Sequence, residues 1–271
     1  MGVSFAMVRR AIFLTLAAAI AVAVVVFYDP GKPVPVIGPS PAWRLTFSEE
    51  FTNPVLDPAK WNKQDSFGIV RNEELQAYVP DSFQVSDGTL KICGKRQRAY
   101  YDGAEREFTS GILTTYQKFS QRYGRFEIRC KVPAGRGLWP AFWLLPEPLG
   151  WPPEIDVMEV LGHAPNEVHM THHWLKFPEE TDFNGKDWSG LDFSEDFHIF
   201  AVEWSPDFIR WQIDGVQHFQ SDHHIPDLPM YLLVNLAIGG NWPGSPDATT
   251  PFPAFFEVDY IRVYQRVGDR L

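Results

Sequence analysis

The sequence is poor in cysteine and in positive charge. Only two cysteines occur among 271 residues, Cys93 and Cys130, so they can form neither a disulfide framework nor a four-cysteine metal site. We expect buried free thiols, although a single bridge between the two stays open. Lys and Arg number 24 against 34 Asp and Glu, which gives a formal net charge of −10. This balance disfavours nucleic acid and anionic lipid as partners, because both are recognised by basic surfaces.

Sustained helical periodicity is also missing, apart from the N-terminal segment. In its place, short apolar or alternating runs are each closed by turn residues. The 20 glycines and 23 prolines favour turns, while 10 Trp, 9 Tyr and 21 Phe favour strands. The pattern predicts an all-β sandwich or barrel. The aromatic side chains either fill its core or offer platforms to a flat, neutral ligand, and composition leaves both open.

Residues 1–35 differ from the rest of the chain. Arg9 and Arg10 precede an apolar run over residues 11–27, and a proline-rich linker follows over residues 30–41. A charged start and an apolar run are typical of an export signal, and the run is also at the short edge of a membrane span. A cleaved signal and a retained membrane anchor both stay open. In either case we expect an exported protein, periplasmic or extracellular, with residues 36–271 as one domain.

The most informative window contains three acids, Glu154, Asp156 and Glu159, alternating with apolar residues. In a regular strand Glu154 and Asp156 share one face and Glu159 falls on the other, which would bury a charge in the core. One extra residue, a β-bulge at residues 157–158, brings all three to the same face.

Three carboxylates on one face repel each other and separate their pKa values, which is what acid/base catalysis requires. A retaining glycosidase uses two carboxyl groups about 5–5.5 Å apart. The spacing alone leaves a solvated strand face or a cation site as alternatives, although hard-cation sites usually take their ligands from a loop.

Several ordered segments resemble one known family. Residues 154–159 look like the active-site motif of glycoside hydrolase family 16 in its bulged, laminarinase-like form. The similarity extends over about residues 43–266, nearly the whole exported part. The matching segments occur in the order of the family, at residues 49–51, 56–57, 60–61, 72–78, 123–129, 137–145, 235–240 and 258–265.

This resemblance implies a β-jelly-roll of two curved antiparallel sheets, with the substrate in a concave cleft. It also implies double displacement with retention of configuration. By motif position, Glu154 resembles the nucleophile, Glu159 the acid/base and Asp156 the helper between them.

Five further residues are expected at the substrate. Trp139 and Trp143 are four apart, so they share a face in one strand, and the resemblance supports both as sugar platforms. Asn72 matches the family's substrate-side loop, and His173 matches a histidine in the strand beside the acids. A core role for the two tryptophans and for His173 stays open. Trp242 is expected at the rim.

No cofactor is expected for catalysis, but the resemblance implies a structural Ca²⁺ on the convex side. The matching ligands are the backbone oxygens of Glu50 and Gly88 and the carboxylate of Asp259. Oxygen ligands suit Ca²⁺, although Asp259 could equally be a satisfied carboxylate.

Two features depart from the family or invite another interpretation. Pro153 stands where many relatives place glycine, and residues 177–192 form a long, polar loop that matches nothing familiar. The histidine-rich run at residues 169–174 suggests a metal site, but it lacks the helical His-Glu-x-x-His pattern. Alternation places His169 and His173 on one face and His172 on the other.

The leading expectation is a monomeric retaining endo-glycoside hydrolase that acts on β-1,3 or mixed β-1,3/1,4 linkages in glucan-like polysaccharide. An exopolysaccharide glycanase or a transglycosylase of the same family is an alternative. A non-catalytic glucan-binding protein is the contrasting class.

Overall fold

The computed structural model describes residues 43–176 and 180–268. The predicted export segment and the whole linker lie outside these residues, as does the proposed boundary at residue 35. Among the described residues, no helix is long and apolar enough to cross a membrane.

The described chain consists of strands, turns and loops, and the prediction of an all-β fold is confirmed. The strands are β1 Trp43–Glu49, β2 Gln76–Tyr78, β3 Phe83–Ser86, β4 Thr89–Gly94, β5 Ala99–Tyr101, β6 Ala104–Arg106, β7 Phe108–Ser110, β8 Ile112–Thr114, β9 Ser120–Gln121, β10 Gly124–Lys131, β11 Leu138–Pro146, β12 Glu154–Val160, β13 Glu167–Lys176, β14 Glu180–Ser189, β15 His198–Trp204, β16 Ile209–Ile213, β17 Val216–Ser221, β18 Met230–Ile238 and β19 Ala254–Arg266.

Two antiparallel sheets pack face to face in a jelly-roll-like sandwich. The 8-stranded sheet has the order β17-β16-β15-β10-β19-β4-β3, and β1 also pairs with β19. The 7-stranded sheet has the order β14-β13-β12-β11-β18-β8, and β9 also pairs with β18. Two small sheets, β2-β7 and β5-β6, complete the fold. We call the outward face of the 7-stranded sheet the cleft face.

Strand alternation explains how the core forms. In β10, Phe126, Ile128 and Cys130 are fully buried, while Arg125 and Arg129 on the other face remain partly exposed. The hairpin between β16 and β17 turns at Asp214 and Gly215, both with positive φ, which is the conformation that favours an Asp-Gly pair in a two-residue hairpin turn.

The structure also settles two expectations about particular segments. Cys93 and Cys130 are both buried free thiols, as expected. The prediction of a loop over residues 177–192 is wrong for its central part, because Glu180–Ser189 forms β14 and pairs along its whole length with β13. This strand is the edge of the 7-stranded sheet, where polar side chains are favoured, and its polarity therefore resembles that of a loop.

Candidate active site

One extra residue in β12 brings its three acids to a common face. On the β11 side, Met158 pairs with Phe142 whereas Asp156 already pairs with the next residue, Trp143. The pairing with β13 shifts at the same place, between Asp156 and Glu159. The predicted bulge is therefore present.

The bulge leaves apolar side chains in the core and the acids outside it. Ile155, Val157 and Met158 are each at most 1% exposed and join the main core cluster. The backbone oxygen of Asp156 accepts a hydrogen bond from the indole nitrogen of Trp211 in the other sheet, at 2.7 Å. This bond fixes the strand where it bulges.

Glu154 lies at the start of β12 between an indole and an imidazole. Trp151 Nε1 donates to Glu154 Oε2 at 3.1 Å, and His173 Nε2 lies 3.7 Å from Glu154 Oε1. Burial, followed by the charges of the neighbouring carboxylates, raises the pKa of Glu154 well above its usual value. The charge of Arg71 and the bond from Trp151 oppose this rise, so they favour the ionised form.

Asp156 is the most enclosed of the three acids. Its side chain is 3% exposed, and His173 Nε2 approaches Oδ2 to 3.3 Å without the geometry of a hydrogen bond. The nearest polar atoms of Glu154, Asp156 and His173 all lie within 4.8 Å of one another. The charge of Asp156 at this distance contributes to the raised pKa of Glu154.

Glu159 takes its hydrogen bond from β11. Trp139 Nε1 donates to Glu159 Oε1 at 3.0 Å. Burial and the charge of Asp156 raise the pKa of Glu159 well above its usual value, and the bond from Trp139 lowers it. The site therefore opposes full ionisation of its carboxyl groups, which suits a pair in which one member attacks and the other donates a proton.

Trp139 and Trp143 both lie on the cleft face, but they differ in exposure. Trp139 is only 8% exposed, and its ring meets Trp242 edge-on at 5.2 Å. Trp242 is 41% exposed and also packs against His169, at 4.6 Å between ring centroids. The more accessible ring of this pair is therefore Trp242, at the rim.

Trp143 is fixed by a polar network that sequence reasoning missed. Its Nε1 donates to Asn235 Oδ1 at 2.7 Å, and Asn235 Nδ2 donates to the hydroxyl of Tyr78 at 3.1 Å. The guanidinium of Arg71 lies 5.7 Å from the Trp143 ring and pairs with Asp65 at 2.7 Å. Arg71 therefore brings a fixed positive charge to this side of the acids.

Asn72 lies in the exposed loop before β2, as the resemblance implies. Its φ is +51°, a left-handed conformation that asparagine tolerates better than most residues. Its backbone oxygen accepts from Asn241 N at 2.8 Å, and Asn241 directly precedes Trp242 in the sequence. Asn72 and Trp242 therefore belong to neighbouring parts of one rim.

The alternation predicted for the three histidines is confirmed. His173 pairs with Glu154, and His169 pairs with Glu159. His172, on the opposite face, is fully buried and hydrogen-bonds the backbone oxygen of His223 at 2.8 Å. Burial lowers the pKa of His172 to about 4, so it is a neutral core residue at pH 7.

The residues expected to hold calcium lie at neighbouring positions around β19. Glu49 pairs with Ile261, so Glu50 follows towards Tyr260 and Asp259, and Gly88 lies two residues before Leu90, which pairs with Val258. Two backbone carbonyls and a carboxylate suit Ca²⁺.

Arginine already pairs with the Asp259 carboxylate of this set and with the side chain of Glu50. Asp259 Oδ2 accepts from Arg129 at 2.6 Å, and the Glu50 carboxylate is bound by Arg262 at 2.7 and 2.8 Å. Calcium therefore stays a prediction.

The sequence resembles known proteins over nearly all of the described residues. The sequence model described as glycosyl hydrolases family 16 matches residues 74–262. A β-glucanase of Rhodothermus marinus is 37% identical, with 84% of this chain and 87% of the relative covered. An endo-1,3-1,4-β-glycanase, EglC, of Rhizobium meliloti is 36% identical over 83% of this chain but 52% of the relative.

The fold is likewise found among solved structures. The catalytic domain of an endo-1,3-β-glucanase (laminarinase) from Thermotoga petrophila superposes with a TM-score of 0.78 at 36% identity. The match covers 84% of this chain and 100% of that domain.

Proposed function

The chain belongs to the glycosyl hydrolases of family 16, and on that premise we propose that it is a retaining endo-β-glucanase that hydrolyses β-1,3 or mixed β-1,3/1,4 linkages. The observation that carries the proposal is the set of acids on β12. Glu154 and Glu159 share the cleft face, each accepts an indole hydrogen bond, and Asp156 lies between them. A protein that only binds glucan has no need of both glutamates.

The first step is substitution at the anomeric carbon. The carboxylate of Glu154 attacks this carbon, and the bond to the glycosidic oxygen breaks as Glu159 donates its proton to that oxygen. The positive charge of Arg71 and the Trp151 donor favour an ionised Glu154. Burial raises the pKa of Glu159 and so favours its protonated form. The products are a covalent glycosyl-enzyme and a shortened sugar chain.

The second step reverses these roles. Glu159, now a carboxylate, removes a proton from water, and the water oxygen attacks the anomeric carbon while the bond to Glu154 breaks. Two inversions give net retention. His173, which lies close to both Glu154 and Asp156, is proposed to hold the nucleophile in position together with Asp156. Carboxyl groups carry every proton in this scheme, so the proposal needs no cofactor for the chemistry.

A panel of polymers tests this function. Laminarin and mixed-linkage glucan should be cleaved, with β-anomers first in the NMR spectrum and a fall in viscosity that precedes the release of most reducing ends. Agarose, carrageenan and succinoglycan-type polymers test whether the enzyme instead cleaves another class of polysaccharide. First-formed α-anomers would contradict double displacement, and binding of laminarin without cleavage would favour a glucan-binding protein.

We also propose that the domain is exported, on the strength of Arg9, Arg10 and the apolar run over residues 11–27. Expression of the full chain, followed by fractionation and mass measurement, tests this proposal. A shortened protein in the soluble exported fraction indicates a cleaved signal, and a full-length protein in the membrane fraction indicates an anchor. Full-length protein in the cytoplasm would contradict export.

A further inference from the structure

Beyond the catalytic strand, β13 and β14 extend the cleft face in three parallel rows of side chains. The middle row runs from Asp156 to Thr171 and Gly185. Because Gly185 has no side chain, this row is low. A Cβ at Gly185 would lie 2.8 Å from Thr171 Oγ1 and 3.0 Å from the Met170 backbone oxygen, so the adjacent strand β13 leaves no room for a side chain at this position.

Rows of larger side chains flank this middle row, which forms the floor, on both sides. One consists of Glu154, His173 and Phe183, since each residue pairs with the next across the strands. The ring centroids of His173 and Phe183 are 5.8 Å apart, which confirms that the two side chains share a face.

The other flanking row consists of Glu159, His169 and Asp187. Here His169 Nδ1 lies 2.7 Å from Asp187 Oδ1. The two rows and the floor define a trough that starts at the acids and opens at the edge strand β14.

The opposite face of β14 fixes the direction of the trough side chains. Trp188 packs against the main core, with its ring 4.4 Å from that of His218. Asn184 donates from Nδ2 to the hydroxyl of Ser221 in the other sheet at 2.9 Å. With these residues turned inward, alternation directs Phe183 and Asp187 to the cleft face.

The apolar groups along one wall are unusually exposed for their size. Phe183 is 64% exposed, Trp151 51% and Leu175 56%. Strands lie about 4.8 Å apart, so Phe183 is about 10 Å from Glu154 across two strand spacings. Exposed apolar surface that continues from a catalytic centre marks a ligand-binding surface. Flat aromatic rings bind the apolar face of a sugar ring and leave its hydroxyls free for polar neighbours.

We propose that this trough binds sugar residues of the glucan on one side of the cleaved bond, with Phe183 as the stacking platform farthest from the acids. The inference rests on the proposed function and deepens it. Asp187 and Glu167 provide carboxylate acceptors for hydroxyl groups along the opposite wall. A second copy of the chain paired along β14 is less compatible with this edge, because Glu180, Asp182 and Asp187 place charges on it.

The test compares Phe183→Ala with Phe183→Trp and with Leu45→Ala. Leu45 is 50% exposed but lies on β1, in the other sheet, so it controls for the loss of exposed apolar surface. KM and kcat are measured on β-glucan oligosaccharides of increasing length, and binding is measured by electrophoresis in gels that contain laminarin.

We expect Phe183→Ala to raise KM for long substrates by about five- to tenfold, with little change in kcat. In this variant each added sugar residue should lower KM by less than it does in the wild type, and laminarin should retard the variant less in the gel. Phe183→Trp should restore both properties. Leu45→Ala should match the wild type. Labelling the reducing end of the oligosaccharides shows which side of the cleaved bond lost its contact.

Equal KM and equal gel retardation for Phe183→Ala and the wild type would overturn the proposal, as would a change in oligomeric state on gel filtration. If the wild type cleaves no glucan, the proposed function fails. In that case weaker retardation of Phe183→Ala would still support a glucan-binding trough, and unchanged retardation would overturn both.

Discussion

Trp139 Nε1 donates a hydrogen bond to Glu159 Oε1 at 3.0 Å, from the strand next to the one that carries the acid. The resemblance to the family implies a sugar platform at Trp139, but its ring is 8% exposed. The bond stabilises the ionised form of Glu159 and opposes the effect of burial on its pKa. Trp139 therefore helps to set the pH at which the acid loses its proton.

Replacement of Trp139 by phenylalanine should move the alkaline limb of the pH profile. Without the indole donor the pKa of Glu159 rises further, so the limb of kcat/KM that reports loss of its proton should shift to higher pH. Trp143→Phe is the matched control, because the Trp143 indole donates to Asn235 and not to an acid. An alkaline limb that stays in place or moves down in Trp139→Phe would contradict the assignment.

Glu159→Ala and Glu154→Ala should differ in how they depend on the leaving group. Loss of the general acid should lower kcat on glucan by about 10²–10⁴-fold. A substrate whose leaving group needs no proton should recover much of the first step. Glu154→Ala removes the nucleophile and should be inactive on both substrates. Steady-state kinetics on glucan and on an activated aryl glycoside measure this difference, and equal losses in the two variants would reverse or remove the assigned roles.

His172 should make the protein less stable in mild acid. Its pKa falls from 6.5 to about 4 on folding because it is buried, so its neutral form stabilises the fold fully above pH 6.5. That contribution is lost as the pH falls from 6.5 towards 4, by about 2 kcal/mol between pH 7 and pH 5. The raised pKa values of Glu154 and Glu159 act in the opposite direction.

A variant separates these contributions. His172→Gln keeps a side-chain donor for the His223 backbone oxygen but does not titrate. Denaturant unfolding at pH 7 and pH 5 should show a smaller loss of stability in this variant than in the wild type. An equal loss in both proteins would exclude His172 as the source.

Calcium should stabilise the protein through Asp259, the carboxylate of the predicted site. Addition of millimolar CaCl2 to chelator-treated wild type should raise Tm by about 2–4 °C, and Asp259→Asn should lose this response. Asp182→Asn is the control, since Asp182 lies on β14 in the other sheet and in neither cluster of possible metal ligands among the described residues. A calcium response that persists in Asp259→Asn, or none in the wild type, would remove Asp259 as a ligand.

Local patterns predicted much of the catalytic strand. The cost of burying Glu159 was enough to predict the bulge, and alternation separated His172 from His169 and His173. Both inferences use only neighbours along one strand, where the periodicity of side chains is fixed.

The residues that sequence reasoning missed depend on contacts between distant segments. Asn235 supports Trp143 from 92 positions away, and Arg71 acts on Glu154 from a loop far earlier in the chain. Trp151 is only three positions from Glu154, but it reaches the acid because the loop before β12 folds back. No periodicity carries such information. For β14, polar composition resembled a loop because edge strands face water on several sides.

The extra residue in β12 gives this strand an unequal tolerance to changes in length. Deletion of Val157 would leave Glu154, Asp156 and Glu159 in strict alternation, so the three acids would still share a face. Insertion of one more residue beside Val157 would place Glu159 four positions beyond Asp156, so that in a regular strand it would share the face of Asp156 but lie about 13 Å from it at Cα instead of about 7 Å. A lineage could therefore lose a codon here and keep the constellation of acids, whereas gaining one would put the acid/base at risk.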